Sequence, residues 1–125
     1  MAGCVYPVYT PQMTDEIHDR LAAATGFEWD AGNRPKVRAR HDVDPGECEQ
    51  AFFHEPFLVS YDAAHSAEEP RWRALGRTAA SRLLFVVFTM RGPLIRVLAA
   101  RPMTRKERVI YAHAEAQHEE GDPPV

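Results

Sequence analysis

The segment Leu83–Phe88 (Leu-Leu-Phe-Val-Val-Phe) is an unbroken run of six apolar residues. It constrains the fold more than any other stretch. A membrane helix needs about 20 apolar residues, so the run is far too short to be one. It is dense in aromatic and branched side chains and is followed by a hairpin turn at Arg91-Gly92-Pro93. It therefore reads as a central strand, Leu83 to Met90, covered on both faces. A central strand needs a neighbour on each side, and the flanking segments supply them. Arg71 to Thr78 alternates, with Trp72, Ala74 and Gly76 on one face and Arg71, Arg73 and Arg77 on the other, Leu75 lying among the arginines. Leu94 to Ala100 follows the turn, with Ile95, Val97 and Ala99 sharing one face and Leu94, Arg96 and Leu98 the other. Phe57-Leu58-Val59 and Phe27 to Trp29 are shorter strand candidates.

Helix signals fill most of the rest. Met13, Ile17, Leu21 and Ala24 lie at helical spacing behind Thr14 as a cap, and Gly26 ends that helix. Asp30 or Asn33 can cap a helix running to about His41, with Pro35 near its start. Asp44-Pro45-Gly46-Glu47 is a helix start of capping-box type, and Pro56 is expected to close the helix. Thr104-Arg105-Lys106-Glu107 opens a last helix reaching about His118. The order is helix, short strand, two helices, four strands, helix. Short links between strands predict a mainly antiparallel sheet with helices packed on one face, an α+β fold of two layers. Residues 1–26 read as an extension, beginning with a polar stretch punctuated by Pro7 and Pro11, residues 27–118 as the domain, and residues 119–125 as a disordered tail.

The formal net charge of −3 hides a strong segregation. Residues 1–70 carry −8, residues 71–108 carry +9, and residues 109–125 carry −4. Nine of the ten cations in the middle segment are arginine, the side chain suited to bidentate contact with phosphate or carboxylate. The alternation places Arg71, Arg73, Arg77 and Arg96 on the face away from the helices. Such a face suits a polyanion, although charge runs also serve as plain solvated surface.

Other classes find no support. Two cysteines, Cys4 and Cys48, cannot make a disulfide framework and suit a reducing cytoplasm. The six histidines show no spacing that would ligate a metal, and no cofactor motif is present. There is no glycine-rich phosphate loop and no nucleophile elbow. RNA cleavage needs neither, because the 2′-hydroxyl of the substrate can attack its own phosphorus. The protein must then accept a proton, steady the charge on the phosphoryl oxygens, and return a proton to the leaving oxygen. Arginines suit the second task. His65, Glu69, His41, Lys36 and Tyr111 suit the others, and taken singly each fits a surface position equally well.

The chain resembles the BrnT family of bacterial toxins, partners of BrnA antitoxins in type II pairs. The matching residues are Phe27-Glu28-Trp29-Asp30, Gly32-Asn33, Lys36, Arg40-His41 and Val43, then Glu47 to Phe53. They continue through Asp62, His65-Ser66, Glu69, Arg71-Trp72 and Leu75-Gly76-Arg77-Thr78. Arg82 to Thr89, Ile95-Arg96-Val97, Ala100-Arg101, Met103, Arg105 to Arg108 and Tyr111 complete the set. The resemblance implies a RelE-like ribonuclease fold, RNA cleavage that arrests translation, and neutralisation by a DNA-binding BrnA-like antitoxin in a dimer or heterotetramer. On the ribonuclease reading the expected catalytic residues are His65, Glu69, Arg77, Arg96 and Arg101, and the expected RNA-binding ones are Lys36, His41, Arg71, Arg73 and Arg82, with no metal and no membrane. Val37, Asp42 and Ala99 stand where the family pattern has Asn, Gly and Ser. Those departures motivate a second reading, a non-catalytic module whose arginine face binds an antitoxin or nucleic acid.

Overall fold

The computed structural model of the chain describes residues 11–66 and 68–121. The expectations for the segment before Pro11 and for the tail beyond Gly121 lie outside the described residues. Ten segments follow in order: α1 (Pro11–Ala22), β1 (Gly26–Phe27), α2 (Arg34–His41), α3 (Pro45–Ala51), β2 (Leu58–Tyr61), a single 3-10 turn (Ala63–His65), β3 (Trp72–Arg77), β4 (Leu83–Arg91), β5 (Leu94–Pro102) and α4 (Arg105–Gly121). The strands form one sheet in the order β1-β5-β4-β3-β2. Every pairing is antiparallel except β1 on β5, which is parallel. The fold is α+β with a five-stranded mixed sheet, as the element order predicts.

The apolar run is the centre strand β4. Its even positions Leu84, Val86, Phe88 and Met90 are buried beneath the helices. Val37 of α2, Val43 and Cys48 of α3 pack with Leu84, Val86 and Val97. Ile17 of α1 packs with Trp72, Phe88 and Ile95. Phe52, at the end of α3, sits edge-on to Phe27 and Phe88 and joins the two clusters. The odd positions Leu83, Phe85 and Val87 are only half-buried, so the expected cover on both faces is incomplete. α4 caps one end of that second face: Tyr111 is buried and donates to the Pro56 carbonyl at 2.6 Å, and Glu115 pairs with Arg77.

Two local details correct the sequence reading. The first short strand is Gly26–Phe27, and Glu28 to Asp30 leave the sheet as a strap across β5. Asn33 fastens that strap. Its side-chain amide donates to the carbonyls of Glu28 and Val97 and its oxygen accepts the Asp30 N–H. The second correction concerns β5. Phe88 faces Val97, but Val87 faces Ala99, so Leu98 is an extra residue in a bulge. The period of two is broken there. Ala100, not Ala99, turns to the core, and Ala99 is exposed. By the same shift Arg101 swings out beside Phe85 rather than into the apolar layer.

Candidate functional site

The half-open face of the sheet holds two adjoining hollows that share Phe85, Leu98 and Ala99. One, of about 380 Å³, is walled by Asp62, His65, Arg71 and Arg73. The other, of about 470 Å³, is walled by Lys36 and His41 of α2 and by Arg101. Both volumes fall within the usual range for ligand sites.

The loop between β2 and β3 builds the first hollow. The Asp62 N–H donates to the Arg71 carbonyl at 2.8 Å. The Ser66 hydroxyl donates to the Asp62 carbonyl at 2.6 Å and accepts the Arg71 N–H at 2.9 Å. This closure leaves the Asp62 side chain 7% exposed and the His65 side chain 69% exposed. Nδ1 of His65 lies 3.1 Å from both carboxylate oxygens of Asp62. A carboxylate oxygen only accepts, so Nδ1 carries the hydrogen and Nε2 is left free to exchange a proton. Arg71 and Arg73 flank this dyad and have no ion-pair partner among the described residues.

The remaining residues expected at the site fall into two groups. Lys36 and His41 are exposed and share the second hollow with Arg101. Arg77, Arg82, Arg96 and Glu69 line neither hollow and already hold partners. Arg96 is buried at 8% exposure. Its Nη1 lies 2.9 Å from Glu28 and 2.9 Å from Asp30, with Nη2 3.1 Å from Asp30. That pairing draws the Asp30 carboxyl below its ordinary range and raises the Arg96 guanidinium, chiefly through the same hydrogen bonds. Arg96 is therefore not part of an open row with Arg71, Arg73 and Arg77; its hydrogen-bonding edge is taken up by the strap. Glu69 pairs with Arg91 at 3.5 Å, and Arg77 with Glu115 at 3.6 Å. Arg82 clamps the end of α2, donating to the carbonyls of His41 and Asp42 and to Glu47.

The family described as ribonuclease toxin, BrnT, of type II toxin-antitoxin system matches residues 29–107, more than half of the chain. The chain belongs to that family. No curated protein matches it. Membership in the BrnT family makes the chain a ribonuclease toxin of a type II pair, with RNA as its target and a protein antitoxin as its partner. The matched segment contains the whole Asp62–His65 loop, Arg71, Arg73, Phe85 and Arg101. Of the family pattern, Glu28, Asp30 and Asn33 build the strap around Arg96. Among the departures, Val37 is buried in the core, Asp42 ends α2 in the left-handed conformation, and Ala99 lies on the floor shared by the two hollows.

Asp62, Ser66, Phe85 and the Leu98 bulge did not stand out as site residues in the sequence. For Asp62 a signal existed, the three-residue spacing to His65. For Phe85 there was none, because a phenylalanine in an apolar run reads as core. Among the described residues no helix is long and apolar enough to cross a membrane, and no three His, Cys, Asp or Glu side chains gather as a metal site would need.

Proposed function

We propose that this toxin cleaves RNA by general acid–base catalysis without a metal, and thereby arrests translation. The observation that carries the reading is the Asp62–His65 dyad set between two arginines without acidic partners. The buried Asp62 holds the ring and keeps the hydrogen on Nδ1. Nε2 then takes the proton of the attacking 2′-hydroxyl or returns one to the leaving oxygen. Arg71 and Arg73 steady the charge that grows on the phosphoryl oxygens. Lys36 and His41 extend the RNA-binding surface along the backbone across the second hollow. In this assignment Arg77, Arg82, Arg96 and Glu69, all expected at the site, serve the fold through their ion pairs. The antitoxin is a BrnA-type DNA-binding protein that covers the same face, in a dimeric or heterotetrameric complex in the cytoplasm. Residues 1–26 act as an extension carrying α1.

The test is cleavage of RNA by the purified protein in EDTA, together with arrest of a cell-free translation reaction. His65→Ala is expected to lose about a hundredfold or more in rate, the usual contribution of a positioned acid or base. Arg96→Ala is expected to lose stability first. If His65→Ala cuts as fast as the parent, the dyad is not the catalyst. One observation favours the second reading, a non-catalytic binding module: the exposed floor of the site carries Ala99, which has no hydroxyl. Undetectable cleavage by the parent protein, with tight binding of RNA or antitoxin retained, selects that reading.

A further inference from the structure

Arg101 differs from the other cations of the open face in what it has left to offer. Its Nη1 donates to Glu107 at 2.7 Å and to the Pro102 carbonyl at 3.1 Å, and its Nη2 donates to the other Glu107 oxygen at 2.9 Å. Three of its five N–H groups are thus engaged, and Glu107 takes both Nη ends of the fork and balances its charge. The flat face of the guanidinium stays available beside the remaining Nε and Nη2 hydrogens. That face lies over the Phe85 ring, with Cζ 4.0 Å from the ring centroid. Phe85 lines both hollows described above and a third between β3 and α4, so the pair stands at the middle of the open surface. Glu107 is fixed in turn by the start of α4, where it accepts the Thr104 N–H at 2.8 Å. The plane is thus preorganised before any ligand arrives.

We propose that the Arg101–Phe85 stack is a seat for one unpaired nucleobase, so that the ligand of this face is single-stranded RNA. Planar guanidinium and aromatic faces are the surfaces on which unstacked bases settle, and a base paired inside a duplex cannot reach them. The adjacent Arg71 and Arg73 take the phosphate of the same strand. This inference rests on RNA being the ligand of the face, and it does not require that the RNA be cut.

Binding is measured by fluorescence anisotropy with labelled 2′-O-methyl oligonucleotides, which lack the attacking hydroxyl. Three probes are compared: a single strand, the same strand with abasic positions, and its duplex. The single strand is expected to bind about tenfold or more tightly than either of the others. Phe85→Leu and Arg101→Lys are each expected to lose that advantage while binding the abasic strand as the parent does. Arg101→Lys separates face from edge: it keeps the charge and removes the plane, so undiminished affinity for the single strand would overturn the proposal. Phe85→Trp preserves a stacking surface and is expected to keep the affinity; if Phe85→Leu fails to fold, loss of single-strand preference in Phe85→Trp overturns it instead. Normal base-dependent binding with no cleavage by the parent protein would sink the catalytic reading and leave this one standing.

Discussion

Asp42 ends α2 at φ 52° and ψ 46°, a left-handed conformation in which its N–H donates to the Arg38 carbonyl. Glycine takes this conformation without a clash of Cβ with the backbone, whereas aspartate only tolerates it. Asp42→Gly is therefore expected to raise stability by about 0.5–1 kcal/mol. Thermal unfolding followed by circular dichroism checks it, and a lower melting temperature would show that the Asp side chain does something here beyond ending the helix. At this scale the sequence was legible wherever partners are close along the chain. Asp62 and His65 are three residues apart and meet. Arg96 meets acids 66 and 68 residues away, so its reading as an open phosphate ligand had no local signal against it.

Elements were placed by pattern, but the pattern assumed an unbroken period. The bulge at Leu98 shifts the last third of β5 by one position, and period-two reasoning cannot anticipate it. It puts Ala100 in the core and Arg101 over Phe85. The following helix start fixes that arginine, because Glu107 serves both as the capping partner of Thr104 and as the acid for Arg101. The Arg101 hydrogen bond, helped by Thr104, holds the Glu107 carboxyl below its ordinary value of 4.5 against the opposing pull of burial. A carboxyl whose folded-state pKa is depressed contributes stability above its unfolded value, and that part is lost as the pH falls through the folded one. The window therefore lies from about pH 4.5 downwards. Glu107→Gln is expected to melt lower at pH 7 yet to lose less stability than the parent between about pH 5 and pH 3. Melting curves over that range check the slope, and parallel curves for the two proteins would mean that the pair adds nothing.

Across the whole molecule the segregated charge of the sequence is partly undone. Five of the ten cations between Arg71 and Arg108 pair with carboxylates, namely Arg77, Arg82, Arg91, Arg96 and Arg101. The acids Glu28, Asp30, Glu47 and Glu69 come from the acidic first part of the chain. What is left for a polyanion at the dyad is Arg71 and Arg73. The core beneath is closed enough to report on the global fold. Cys48 has no exposed surface, and burial, with the charges of Glu47 and Glu49, pushes its thiol up to about 12. At neutral pH that leaves on the order of a thousandfold less thiolate than an ordinary cysteine. In a Cys4→Ser background, labelling of Cys48 by a disulfide reagent is expected to follow opening of the core and to become immediate in denaturant. Prompt labelling of the native protein would show that α3 opens independently of the sheet.

By itself the sequence determined the element order, the central place of the Leu83–Met90 run, its antiparallel neighbours and the gathering of the arginines in one segment. These follow from periodicity, caps and turns, which act between residues a few positions apart. Which arginines stay free was decided only by the tertiary structure. Neutralising Arg96 needs a strap that leaves the neighbouring edge strand β1, distant only along the chain, and presenting Arg101 needs a bulge and a helix start beyond it. Charge pairing acts through space, and no count along the chain shows which acid folding will bring within 3 Å of which guanidinium.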